Sequence, residues 1–429
     1  MGIGPAPGAG SERDGERDRD RGRHHVCDRD QHQDWDRDWG RTGTGTGTGT
    51  EPGRSMCGWR DMPAEALEHQ YSPSRWSPRL GTDTVIQAHI AATAAGTRRA
   101  RAAAQTSLHV PYGDGDGEKL DVYFPADPSG TFPVLVYIHG GYWQCLSKDE
   151  AGFAAPPLVS RGVAVVAVGY DTAPKGRMDD MVLQVRRSLA FLLRRYPGIG
   201  GLYLCGHSAG AHLAAMVLST DWTEFGVVPD IKGAVLVSGI YDLEPILHTY
   251  VNDALNMSRE VAQRNSPMLR VAPAAPAAAA CEVLVAVAQH DSPEFRRQSQ
   301  EYGQVSSGEQ PAQLRRDAAP AGPLSWGEEP VGRARAVFLL LCDGCCRRRW
   351  RLRGRRRSLP SCRCCGPVRG GWGSGSLLPV PLSPQALRAA GWSVSMLDLA
   401  GVDHFDIIEK LSEESYILTQ VILNMISKA

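Results

Sequence analysis

The apolar run Leu202-Tyr203-Leu204-Cys205 passes directly into Gly206-His207-Ser208-Ala209-Gly210, and a helical pattern follows over 211–219. A chain that must end a strand, reverse and start a helix within one short turn has few ways of doing so. Ser208 is forced into a strained backbone conformation, and glycines flank it because the adjoining chain leaves no room for a Cβ. Strand, G-x-S-x-G and helix together make a nucleophile elbow, which raises a serine hydroxyl above the ends of a sheet. Upstream, at the end of another apolar run, lies His139-Gly140-Gly141-Tyr142-Trp143. The first motif offers a nucleophile, and the second offers backbone N–H groups for a developing oxyanion. G-x-S-x-G alone is weak evidence, but the two motifs in this order and context are specific.

The rest of the pattern predicts the sheet that such an elbow needs. Val134–Ile138 and Val163–Val168 are short, β-branched and continuously apolar, as strands covered on both faces should be. Further strands are read at 202–205, Gly233–Ser238 and Val283–Ala288, while Lys119–Phe124 alternates apolar with polar like a half-buried strand. Helical patterns run over Ala64–Tyr71, Thr82–Ala103 and Met178–Arg195, the last ended by Pro197-Gly198. After Tyr302 the rhythm stops, to resume with a strand at Trp392–Leu397 and a helix from Glu413 to Ser427. This alternation predicts an α/β fold, with a mostly parallel central sheet and helices on both faces.

The 429 residues carry a formal net charge of zero, so nothing global points to nucleic acid or membrane. No apolar stretch approaches the roughly 18 residues of a membrane span. The N-terminus, crowded with Arg and Asp, excludes an ordinary secretory signal, and a cytosolic enzyme is expected. Residues 1–58 read as a disordered low-complexity tail, with Arg-Asp dipeptides followed by a Thr-Gly alternation over Thr42–Thr50. The catalytic domain is expected over 59–304 and 386–429. Between its parts, 305–385 reads as a disordered insertion, with fourteen Arg, no Lys, six Cys and a run rich in Leu and Pro that ends before Gln385. Codon bias and boundary residues suggest a retained intron. Cys342, Cys345, Cys362 and Cys364 lack the surrounding regularity of a zinc site, and Arg347–Arg357 lacks any stacking pattern for nucleic acid. No metal is expected.

Ser208 needs a base to remove its proton. His404, in Gly401-Val402-Asp403-His404-Phe405, lies between the last strand and the last helix, and no other histidine follows Asp291. Asp291 follows the strand Val283–Ala288, where the acidic partner belongs in the chain order Ser, Asp, His. Two alternatives stand beside it: Asp291 capping the helix that starts at Pro293, and Asp242 as the acid instead. Excising 305–385 leaves room for one helix and one strand between Asp291 and His404. Gly141, Tyr142 and Ala209 are the expected oxyanion donors. His139 is read as structural, and Gly140 as permitting close backbone approach. Trp143 is either core packing or a wall of the acyl pocket. His207 and His212 are expected to pack or bond locally.

These motifs closely resemble the arylformamidase (kynurenine formamidase) family of α/β-hydrolases, over about 62–302 and 386–429. The resemblance rests on H-G-G-x-W at His139–Trp143 and G-H-S-A-G at Gly206–Gly210. Arg75-Trp76, Pro111-Tyr112-Gly113, Ala173-Pro174-Lys175-Gly176, Asp291-Ser292-Pro293 and Asp403-His404-Phe405 are similar too. It implies the α/β-hydrolase fold and cofactor-free hydrolysis of N-formyl-L-kynurenine to L-kynurenine and formate in tryptophan breakdown. It also implies a cytosolic and nuclear homodimer. Carried over, it makes Ser208 the nucleophile, Asp291 and His404 its partners, and Gly141 and Tyr142 oxyanion donors. A broader carboxylesterase, or a noncatalytic isoform disabled by 305–385, are the competing expectations.

Overall fold

Valine-rich runs too short for helices and too apolar for an exposed surface pair into a single eight-stranded sheet, ordered β1-β2-β4-β3-β5-β6-β7-β8. A computed structural model describes residues 58–128, 130–270, 281–304 and 393–428. The readings of residues 1–57 and of 305–385, cysteine cluster included, lie outside the described residues. The strands are β1 (Gln105–Pro111), β2 (Lys119–Phe124), β3 (Phe132–Ile138), β4 (Ala164–Val168), β5 (Ile199–His207), β6 (Ile231–Val237), β7 (Glu282–Ala288) and β8 (Ser393–Leu399). From β4 across to β8 all pairings are parallel, whereas β2 pairs antiparallel with both β1 and β4.

Alternation along each central strand sends successive side chains to opposite faces. Val134, Val136, Leu202, Leu204, Val283 and Val285 enter one buried cluster. Their neighbours Leu135, Tyr203, Cys205, Val235 and Leu284 enter the other. The first face is covered by α1 (Ala64–Gln70), α4 (Met178–Arg195), α5 (Ala209–Leu218) and α8 (Pro293–Gln304), after the short α6 (Val251–Leu255) and α7 (Arg259–Arg264). The second is covered by α2 (Thr82–Ala103), α3 (Ala155–Val159), α9 (Asp406–Glu409) and α10 (Ile417–Ser427). Helices on both faces make the α/β reading correct.

Two elements differ from expectation. β1 has no apolar run to announce it, because as an edge strand it leaves most of its side chains at least partly exposed. Its register with β2 breaks between Ser107 and Val110, where His109 takes a positive φ of 55°. The last helix starts at Ile417 rather than Glu413, because Tyr416 is still extended and a 3-10 turn at Lys410–Ser412 precedes it. No helix among the described residues is long and apolar enough to cross a membrane.

Candidate active site

The elbow forms where β5 meets α5. Ser208 sits at φ 54° and ψ −119°, a conformation that L-residues rarely adopt. Its N–H donates to the Val237 carbonyl at 2.8 Å, and its own carbonyl accepts from Ala211 and His212 N–H, so backbone bonds on both sides hold the strain. A Cβ on Gly210 would stand 2.0 Å from the Ile138 carbonyl oxygen. Only glycine lets the first turn of α5 lie that close to the end of β3.

That end of β3 continues into the second motif. Gly141, Tyr142 and Trp143 have successive positive φ values of 90°, 51° and 60°. The turn closes on the Gly141 carbonyl, which accepts from Gln144 N–H at 2.9 Å and Cys145 N–H at 3.0 Å. Gly140 lies against the elbow, where an added Cβ would be 3.2 Å from the Ser208 Cβ. Among the described residues, the N–H groups of Gly141 and Tyr142 donate to no protein acceptor. Ala209 opens α5, so its N–H is one of the leading donors a helix leaves unpaired. The positive end of that helix favours negative charge at the same place.

Asp291 and His404, far apart in sequence, meet in the interior. His404 Nδ1 donates to Asp291 Oδ1 at 2.7 Å, and each residue is 3% exposed. Because a carboxylate only accepts, the proton belongs on Nδ1 and Nε2 is left basic. Asp291 Oδ2 accepts from Ser238 Oγ at 2.6 Å and from Ala288 N–H at 2.8 Å. The capping alternative fails, since Ser292 Oγ accepts from Phe295 N–H and so caps α8. Asp242 accepts from the Glu244 N–H instead and has no bond to His404. Ser208 Oγ makes no hydrogen bond among the described residues. Ser208 and His404 are joined through their shared neighbour His207, whose Nε2–H donates to the His404 carbonyl at 2.8 Å.

Burial favours the neutral form of the supporting histidines. Burial pushes His139 and His212 down to about 4. His139 stacks on Tyr170 with ring centroids 4.3 Å apart. His212 Nε2–H donates to the Asn265 carbonyl at 2.6 Å, and its Nδ1 accepts from Trp143 Nε1 at 3.2 Å. Trp143, fully buried on that bond, is core packing.

Several supporting residues were not foreseen. The loop carrying His404 is held by Asp403, which accepts from Ser77 Oγ at 2.6 Å and from Arg79 through Nε at 2.7 Å and an Nη at 3.1 Å. Burial alone would raise the Asp403 carboxyl, but these bonds and two backbone N–H groups hold it well below the usual carboxylate range. The Tyr142 hydroxyl donates to the Tyr71 carbonyl at 2.7 Å, and the Phe295 ring meets the His404 imidazole edge-on at 4.9 Å. Ser77, Arg79, Tyr71 and Ser238 carry no motif and act through location alone. Among the described residues, no group of three His, Cys, Asp or Glu side chains is placed to hold a metal.

Known proteins resemble this chain in sequence and in fold. The BD-FAE family model matches residues 120–276. A kynurenine formamidase of Danio rerio is 46% identical over 374 residues, covering 87% of this chain and 100% of the relative. One from Salmo salar is 61% identical over 247 residues, 58% of this chain and 84% of the relative. In fold, the chain is similar to a solved structure from Silicibacter sp. TM1040 provisionally described as a thioesterase. The TM-score is 0.53 at 20% identity, over 83% of this chain and 98% of that one. A nucleophile elbow in an α/β-hydrolase sheet, in a chain that spans the whole of a relative nearly half identical to it, places this protein in the kynurenine formamidase family.

Proposed function

We propose that this chain is a serine hydrolase that deformylates N-formyl-L-kynurenine, releasing L-kynurenine and formate. The observation that carries the reading is its 46% identity, over 87% of this chain, to the full length of a relative named kynurenine formamidase. The geometry supports the chemistry. His404 Nε2 takes the Ser208 proton as Oγ attacks the formyl carbon, and Asp291 stabilises the imidazolium that forms. The tetrahedral oxyanion rests on the N–H groups of Gly141, Tyr142 and Ala209, aimed where charge develops. His404 then gives its proton to the departing arylamine nitrogen. Water, deprotonated by the same imidazole, cleaves the formyl ester and restores Ser208. Every step moves protons and acyl groups only, so the reading requires no cofactor.

The test is steady-state turnover of N-formyl-L-kynurenine beside a short p-nitrophenyl ester. A higher kcat/KM on the formamide, abolished in Ser208→Ala, is expected. A chain that prefers the ester is a broad carboxylesterase, and activity surviving in Ser208→Ala overturns the mechanism. From the family resemblance we further propose a homodimer working in cytosol and nucleus. Light scattering on the purified chain and imaging of a tagged one test those two points.

A further inference from the structure

His207 stands in the variable position of the elbow, yet its side chain does not merely fill space. It is buried, and its ring neighbours two other histidines, with centroids 4.8 Å from His404 and 6.1 Å from His89. A carbonyl cannot donate, so the bond to the His404 carbonyl places a proton on His207 Nε2 and leaves Nδ1 bare. That bare nitrogen faces Gly140, where an added Cβ would come within 3.3 Å. The bond spans 197 residues of sequence and ends on the main chain of the base, one residue from the Asp403 anchor.

We propose that His207 is a positioning residue, whose Nε2–H ties the loop carrying His404 to the elbow carrying Ser208. Asp291 orients the His404 ring and Arg79 anchors the preceding residue, but among the described residues neither is hydrogen-bonded to the elbow. Among the described residues, His207 alone is hydrogen-bonded to His404 and covalently adjacent to Ser208. This device also needs His207 to stay neutral, since a second cation beside the His404 imidazolium would oppose the transition state. Burial first, then the neighbouring His404 and His89, hold its pKa well below the ordinary value, while the bond to the His404 carbonyl and then Asp403 work more weakly the other way.

The inference rests on His404 being the base, so Ser208→Ala and His404→Ala come first in the full chain. If either keeps wild-type turnover, the functional reading fails, whatever His207 does. Given those controls, His207→Phe keeps a flat ring without the donor, and His207→Gln restores an N–H donor at similar reach. A loop released by about 1 Å loses up to about 100-fold in kcat. For the Phe variant we expect a loss of that order, KM within about two-fold, and a displaced acid limb in the pH profile of kcat/KM. The Gln variant should recover most of the rate. His207→Asn, polar but too short to reach the carbonyl, covers the case in which the Phe variant does not fold, and should lose rate as Phe does. Near-wild-type turnover in folded Phe or Asn variants overturns the proposal, as does equal impairment of Gln and Asn.

Discussion

The Asp291 carboxylate divides its two oxygens between the His404 imidazole and the scaffold. Oδ1 serves His404, while Ser238 Oγ and Ala288 N–H together fix Oδ2, so the acid cannot rotate away from the imidazole. Asp291→Asn presents an amide that can push His404 into the wrong tautomer, and kcat should fall by about 10⁴-fold with KM little changed. Steady-state kinetics on the formylated substrate check this. Ser238→Ala keeps the carboxylate but removes a charge-assisted bond, for which about a ten-fold loss in kcat is expected. The proposed trio of Ser208, Asp291 and His404 could be picked from the sequence because a nucleophile, an acid and a base demand particular residue types beyond strand ends. Ser238 could not, since any donor at that place would serve. Its positive φ of 48° can be seen only in the fold.

Among the elements, the loop from β8 into α9 shows how a base is held without secondary structure of its own. Asp403 Oδ1 accepts from the Asp406 N–H at 2.9 Å and Asp406 Oδ1 from the Asp403 N–H at 2.6 Å, a reciprocal pair that closes the turn leading into α9. Residues 77 and 79, hundreds of positions earlier in the chain, close the far side. Arg79→Ala leaves a buried carboxylate without its cation and should cost about 2 kcal/mol of stability, read as a lower melting temperature with Ser208 still reactive toward a fluorophosphonate. The central strands and long helices were readable because burial imposes a period. The Ser77–Arg79 segment and β1 were not, because half-exposed polar residues impose none.

At the level of the molecule, acid should destabilise the fold before carboxylates begin to titrate. His139 and His212 are about 4 when folded, against about 6.5 in an unfolded chain. Between those values the unfolded state binds the extra protons, so stability is complete above about pH 6.5 and falls as pH drops toward 4. Each imidazole contributes on the order of 3 kcal/mol to that loss, measurable as a falling urea midpoint across the window. The stretch 305–385 falls between acid and base in sequence, yet closing a loop longer by that amount costs only about 1–2 kcal/mol. Fluorophosphonate labelling of the full chain and of a 305–385 deletion should therefore give comparable Ser208 adducts. An inert full chain beside a reactive deletion would show that the insertion disables the site.

β8 pairs with β7 in unbroken register from Glu282 opposite Ser393 to Ala288 opposite Leu399. Arg296 of α8 is ion-paired with Asp398, and Gly303 lies so close to Met396 that a Cβ there would stand 2.1 Å from its sulfur. The covalent connection between Gln304 and Ser393 is thus backed by a surface that recognises its partner without it. Cut there by a protease, the two pieces should stay associated under native conditions. Produced separately, a fragment carrying Ser208 and Asp291 and one carrying His404 should complement each other in trans.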